Sequence, residues 1–424
     1  MAPVAGLECL RCGARYGAGS YASDCDVCRP TGPSNLVVAY RRAPRRRARP
    51  KAGAGRGLWR YGDLLPVSES EAVSLGEGGT PLHALGRVGR RLELRLWAKD
   101  ETRSPTWSFK DRLACIAVSV AKRMGAPAIV SSSTGNAGAA AAAYAAKAGM
   151  PCVVFTTRGA VGPLITQMRV YGATVVTVEN KADRWVLMRH AIDNFGWFPT
   201  SPFFGPVVGS NPYGIEGYKT LAYEVAEQMA WQVPDVCVLP VCYGDALIGM
   251  WRGFADLLAL GWIDRLPRMV AAEMYDSLGT ALREGGDALP DMPASYATVA
   301  KSTSATRSTY QALSVIRASG GTAVTVGNEA ILTWQGELAR EEGLYVEPAS
   351  AAALAAVAAL RKQGWVRPGE RVVALLTASG LKDPEATASV LGDPITAPGD
   401  PETAFQRLRE IGAFPGERRG ERDA

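Results

Sequence analysis

The chain has 424 residues, 47% hydrophobic and 21% charged, which is enough for two or three domains around a large core and is typical of a soluble globular protein. Its longest apolar runs, 137–146 and 348–360, fall short of the roughly 18 residues a membrane span needs, and the opening residues carry no cleavable leader pattern. The formal charge of +6 is local: Arg41, Arg42, Arg45, Arg46, Arg47, Arg49, Lys51 and Arg56 form a stretch without an acid, and removing these eight leaves the rest at −2, which excludes nucleic-acid binding as the main business.

The first element in chain order is a four-cysteine segment over residues 1–40. Cys9, Cys12, Cys25 and Cys28 make two CxxC pairs with glycines between them, as in a zinc ribbon of short hairpins. Such a set suits a structural Zn2+, because four thiolates leave no open position for chemistry. A ribbon that no longer holds metal has the same pattern. The remaining cysteines, Cys115, Cys152, Cys237 and Cys242, stand singly in apolar segments, which points to a reducing, cytoplasmic setting. Residues 41–57 read as a basic, solvated linker.

From 58 to 395 the chain alternates strand-like and helix-like segments. A Pro-bearing turn precedes Lys110, and an apolar-periodic helix follows it through Leu113, Ile116, Ala117, Val120, Ala121 and Met124. Then come strands over 127–132, 152–156 and 174–178, with helices over 136–148, 162–171 and 181–195. Beyond lie helices over 216–229, 247–260, 310–318, 329–342 and 350–362, with strands over 236–241, 269–273, 323–326 and 371–376. Continuous apolar strands between helices predict an α/β fold with parallel sheets covered on both faces. A smaller nested domain is expected at about 112–200, and a loosely packed tail over 396–424.

Ligands in such folds bind at the carboxyl ends of strands. Three of those ends carry chemistry. Ser131–Gly138 leads hydroxyls and glycines into a helix start, where free amides meet whatever binds; helix capping alone would also use those hydroxyls. Cys242–Leu247 opens a strand onto a helix through small residues, a place for a phosphate. Thr377 puts a hydroxyl at a third strand end, where it can meet a ring nitrogen. Lys110 itself sits at a loop-to-helix junction, where the helix dipole disfavours its protonated form. It reads as an amine that holds an aldehyde cofactor as a Schiff base, although a lysine that happens to precede a helix would look the same.

Several stretches between Leu75 and Pro384 resemble threonine synthase, a member of the fold-type II pyridoxal-phosphate enzymes. They are Ser-Pro-Thr-Trp-Ser-Phe-Lys-Asp-Arg (104–112), Glu-Gly-Gly-Thr-Pro-Leu (77–82), Ser-Thr-Gly-Asn-Ala-Gly (133–138), Asn-Pro-Tyr-Gly-Ile-Glu-Gly-Tyr-Lys-Thr (211–220), Glu-Pro-Ala-Ser (347–350) and Leu-Thr-Ala-Ser-Gly-Leu-Lys-Asp-Pro (376–384). The resemblance implies two sheet-containing domains wrapped by helices, pyridoxal 5'-phosphate on Lys110 and a homodimer. Asn136 would meet the cofactor's ring oxygen, Thr377 its pyridine nitrogen, and Cys242, Tyr243, Gly244, Asp245, Ala246 and Leu247 its phosphate. Ser132, Ser133, Thr134 and Gly135 would hold the substrate carboxylate. The implied reaction takes O-phosphohomoserine and water to threonine and phosphate; β-elimination or β-replacement on serine- or threonine-like substrates is the alternative. A family member turned to ligand or partner binding is the reading of another class.

Four places depart from the family pattern. Trp107 stands where glycine is usual and is expected to narrow the substrate pocket or cover the cofactor. Leu113 replaces a small residue. The cradle is poor in glycine and carries Asp245, which is unfavourable beside a phosphate unless its side chain turns away. The segment expected to bind a substrate phosphate reads Ser302–Tyr310, leaving Arg307 as its cation.

Overall fold

The computed structural model describes residues 4–19, 24–41, 46, 48, 49, 57–160, 162–411 and 413. The ribbon comes first: β1 (Val4–Cys9) pairs antiparallel with β2 (Arg15–Tyr16) and β3 (Leu36–Tyr40). Leu7, Leu36 and Val38 are buried and belong to the same apolar core as the body that follows. Most of the basic stretch expected as a linker lies outside the described residues. Within it, Arg49 donates to the Trp262 carbonyl at 2.7 Å and lies 5.1 Å over the Trp231 ring.

The body begins a large sheet with β4 (Leu82–Ala84) and β5 (Arg95–Asp100), leaves it, and returns later. In the interval it builds a nested sheet from β6 (Ile129–Ser132), β7 (Cys152–Thr157), β8 (Thr174–Val178) and β9 (Phe198–Pro199), in the order β8-β7-β6-β9 and all parallel. It then completes the large sheet with β10 (Val236–Pro240), β11 (Arg268–Glu273), β12 (Thr322–Thr325) and β13 (Arg371–Leu376), in the order β12-β11-β10-β13-β5-β4. Only β4 runs antiparallel in that sheet. Helices cover both faces, so Val236–Leu239 and Val372–Leu376 are buried throughout, which is why these strands read as unbroken apolar runs.

Two strands of the large sheet escaped the sequence reading. β4 is three residues long with no fully buried side chain, and β5 alternates Arg, Leu, Trp, Ala, Lys, Asp; neither offers the apolar run of a central parallel strand. The compact body ends at Pro384, and residues 388–403 are exposed. The segment that follows contains its own helix, Pro401–Glu410, started by Asp400, whose carboxylate accepts from the Thr403 amide at 2.9 Å.

Candidate active site

The turn that carries Lys110 is held from several sides. Asp111 accepts from the Thr106 amide at 2.7 Å and from the Thr106 hydroxyl at 2.6 Å, closing the loop across the helix start. Lys382 donates to the Thr106 carbonyl at 2.6 Å. The Phe109 amide donates to the Thr377 carbonyl at 2.8 Å, and the Ser379 amide to the Trp107 carbonyl at 3.1 Å. The lysine loop is thereby fastened to the end of β13, although 267 residues separate Lys110 from Thr377. Burial pushes the Asp111 carboxyl up to about 7, against the pull of its Thr106 bonds and of Lys382. Burial likewise brings Lys382 down to about 8, opposed by Glu347 and Asp111.

Behind this turn Arg112 is fully buried and fixes the helix that starts at Lys110. Its guanidinium reaches Glu101 at 2.8 Å through both Nε and Nη2, and Glu224 at 2.7 Å and 2.8 Å through Nη1 and Nη2. Lys99 meets the same Glu224 at 2.6 Å. Burial disfavours charge on Glu224, but Arg112 and then Lys99 outweigh it and hold this carboxyl well below the usual range. The backbone of Gly217 passes so close that a Cβ there would lie 1.8 Å from the Arg112 carbonyl oxygen. That contact requires the glycine of the 211–220 stretch.

One cavity of about 210 Å³ opens between the carboxyl ends of the two sheets. Lys110, Ser132, Ser133, Thr134, Gly135, Asn136, the whole run Cys242–Leu247 and Thr377 all line it. Ser133 Oγ accepts from the Gly135 and Gly138 amides at 3.1 Å and 3.0 Å and shapes the loop before the Asn136 helix. Across the cavity the Asp245–Ala259 helix points its N-terminus inward from Gly244, which is at φ 76°. A side chain at Gly244 would be strained and would meet Ala312 Cβ at 2.6 Å. Ser308 and Thr309 hydroxyls hold the Cys242 and Tyr243 carbonyls at 3.1 Å and 2.6 Å, fixing the cradle from outside.

The Asp245 carboxylate is turned away from the cradle: it accepts from the Ser210 hydroxyl at 2.6 Å and from Gln311 at 2.8 Å. The helix amides are left for an anion, since the first turn of a helix has no carbonyl of its own to bond. Thr377 Oγ1 lies 2.7 Å from Ser350 Oγ, and Ser350 also accepts from the Thr377 and Ala378 amides. Asn136 Nδ2 donates to Glu347 at 3.0 Å, while Asn136 Oδ1 and Ser132 Oγ are buried with no protein partner among the described residues. Burial, eased by Asn136, raises the Glu347 carboxyl. Orphaned polar atoms beside an anion cradle and a lysine fit the phosphate-bearing pyridine aldehyde that the resemblance implies.

This geometry corrects the expectation for Trp107, gives Leu113 a packing role and places Arg307 away from the cavity. Trp107 does not enter the cavity; it is 53% exposed and adopts φ 63°, the left-handed conformation in which glycine is the usual occupant. Leu113 is buried against Gly214, where an added Cβ would approach its Cγ to 2.8 Å, so its bulk is taken up in packing. Arg307 lines a separate hollow of about 110 Å³ with Arg11, Asp287 and Tyr310, while its neighbours Ser308 and Thr309 are the ones that face the cradle. In its place the cavity holds cations that the sequence reading passed over, Lys181, Arg184 and Lys301. Glu347 enters the sequence reading only within the Glu-Pro-Ala-Ser stretch; its place before Pro348 at a helix start is the signal for it.

The ribbon thiols form a second site. Sγ separations are 3.8 Å for Cys9–Cys28 and 3.6 Å for Cys12–Cys25, and all four sulfurs lie within 4.8 Å of one another. A tetrahedral Zn2+ with bonds of about 2.3 Å spaces its sulfurs at about 3.8 Å, so the set fits that ion. Amides of Arg11 and Cys12 donate to Cys9 Sγ at 3.3 Å and 3.4 Å, as second-layer support for a ligating thiolate. The ribbon also touches the catalytic cradle. Asn35 donates to Gln311 at 2.6 Å, and Gln311 in turn donates to the Tyr243 carbonyl at 2.7 Å.

Comparison with known proteins agrees with this architecture. Residues 73–378 match the family described as pyridoxal-phosphate dependent enzyme. The chain is 34% identical to the threonine synthase of Methanocaldococcus jannaschii over 95% of its own length and 99% of that protein. It is 35% identical to the threonine synthase of Methanosarcina acetivorans over 92% of its own length and 95% of that protein. Among solved structures, maize serine racemase superposes with a TM-score of 0.62 at 19% identity, covering 78% of this chain and 93% of the racemase, which bears on the fold alone.

Proposed function

This chain belongs to the pyridoxal-phosphate dependent enzyme family, within its threonine synthases, and we propose that it converts O-phosphohomoserine and water to threonine and phosphate. The observation that carries the proposal is the convergence on one cavity of the Lys110 turn with Asn136, the Cys242–Leu247 cradle and Thr377 from three separated strand ends. Similarity to threonine synthases over nearly the whole chain supports the substrate.

In this reading Lys110 is the point of attachment for pyridoxal phosphate, the helix amides behind Gly244 receive its phosphate, and Asn136 and Thr377 meet its ring oxygen and nitrogen. When bound, the cofactor withdraws electrons from the substrate's Cα. The Lys110 amine would take and return protons at the substrate carbons. Amides and hydroxyls of Ser132–Gly135 hold the carboxylate. Ser350 fixes the Thr377 hydroxyl, a neutral partner that leaves the ring nitrogen without a proton, which suits elimination and replacement rather than transamination. Glu347 holds Asn136 in place.

The four ribbon cysteines are proposed to bind structural Zn2+, with the sulfur spacing as support. A homodimer is proposed from the family likeness, and a cytoplasmic setting from eight cysteines of which none forms a disulfide.

Phosphate release from O-phosphohomoserine, measured beside 2-oxo acid formation from serine and threonine, tests the reaction. Release of phosphate with little 2-oxo acid is expected. Oxo-acid formation without phosphate release would replace this reading with the β-elimination alternative.

A further inference from the structure

The mechanism above leaves one buried cation without a task. Arg184, near the start of the helix Asp183–Phe195, is only 6% exposed, yet it lines the cavity. Its Nε donates to the Lys181 carbonyl at 3.1 Å, and among the described residues neither terminal nitrogen has a hydrogen-bond or ion-pair partner. Burial pushes its pKa down, and the counterweight is the Tyr243 phenol, not a carboxylate. The other buried arginine on the active-site side, Arg112, has two carboxylates. Burying a guanidinium with no anion is costly, so such a group is kept where a ligand supplies the anion. Lys181, exposed on the rim of the same wall, adds a second positive charge.

The cradle at Gly244 already offers helix amides to one phosphate. We propose that Arg184, with Lys181 at the rim, forms a second anion subsite in this cavity. It receives the negatively charged end of the amino-acid substrate's side chain, a phosphate monoester, and so sets substrate specificity. The proposal rests on the reading of the cavity as a pyridoxal-phosphate site. Arg184 supplies two donors in a fixed fork, suited to two oxygens of a phosphate, whereas a neutral side chain would leave it unpaired. Arg307 has no part in this subsite.

The test uses the pyridoxal-phosphate-loaded protein as wild type, Arg184→Gln, Arg184→Lys and Lys181→Gln. Binding of L-2-amino-5-phosphonopentanoate and of L-norvaline, which share a skeleton but differ in the terminal phosphonate, is followed through the cofactor's visible absorbance. Affinity for pyridoxal phosphate is measured on the same variants. Arg184→Gln is expected to weaken the phosphonate by about tenfold or more, the usual worth of a charge-assisted bond, with norvaline and cofactor affinity unchanged. Arg184→Lys should recover part of the loss. Lys181→Gln, an exposed substitution that does not threaten folding, should show a smaller loss with the same selectivity. Equal losses for both ligands, no loss for either, or weakened cofactor binding in Arg184→Gln would each overturn the assignment; the last would give Arg184 to the cofactor's own phosphate. A wild type that binds the phosphonate through Arg184 but releases no phosphate from O-phosphohomoserine would keep this subsite and discard the proposed reaction.

Discussion

Replacing Arg112 by methionine removes the centre of the buried ionic cluster behind Lys110 while keeping most of the side-chain volume. In the native chain Arg112 and Lys99 balance Glu101 and Glu224, and Arg112, Lys99 and Glu101 are fully buried. The substitution leaves two carboxylates facing one lysine and frees acceptors on Glu101, Glu224, Thr80 and Thr220. Breaking a buried pair in this way costs about 3–5 kcal/mol, a fifth or more of the roughly 5–15 kcal/mol that holds a domain together. The charge argument makes two further demands. Arg112→Met combined with Glu224→Gln restores neutrality, so the double variant should be less destabilised than the sum of the singles. The folded-state pKa of Glu224 is depressed, so its stabilisation is present above the unfolded carboxylate value of about 4.3 and is lost as pH falls below it. Without Arg112 that depression is relieved, and the gap between wild type and variant should narrow below about pH 4. Urea unfolding followed by circular dichroism at several pH values measures all three effects. A cost under about 1 kcal/mol at pH 7, or a gap that widens in acid, would refute the reasoning.

Trp107→Gly should raise stability by about 1 kcal/mol, because an exposed side chain leaves a left-handed backbone position, and turnover should not fall; a thermal-shift assay with parallel kinetics checks it, and lost activity would return Trp107 to the site. Ser350→Ala strips the acceptor from the Thr377 and Ala378 amides, so we expect a loss of about 2–3 kcal/mol and a shifted cofactor absorbance as the Thr377 hydroxyl loses its partner. Chelation of the ribbon metal, or Cys12→Ser, should weaken pyridoxal-phosphate binding through Asn35 and Gln311, read by cofactor titration. Unchanged affinity with a demonstrably unfolded ribbon would dismiss that link.

Much of the fold was legible because its strands are buried on both faces and its helices begin at recognisable junctions. The helix at Asn136 and the strands at Val236–Pro240 and Arg371–Leu376 fall where the apolar pattern puts them. β4 and β5 were hidden because an edge pair with polar side chains lacks that pattern. The candidate site was readable where its lining comes from a local turn, as at Lys110, Asn136 and Gly244. It was unreadable where function depends on which way a side chain faces. Arg307 lies in a hydroxyl-rich loop and Arg184 in the first turn of a helix, and only the packing of their neighbours assigns one to a separate hollow and the other to the cavity. Trp107 likewise gave no sign that its backbone conformation, not its bulk, is what departs from the usual glycine.

The most direct test of the account is to load the protein with pyridoxal phosphate, reduce it with borohydride and map the peptides by mass spectrometry. A pyridoxyl group on Lys110, absent from Lys110→Ala, is the predicted result. A protein that takes up no cofactor, or carries the label on another lysine, would contradict it.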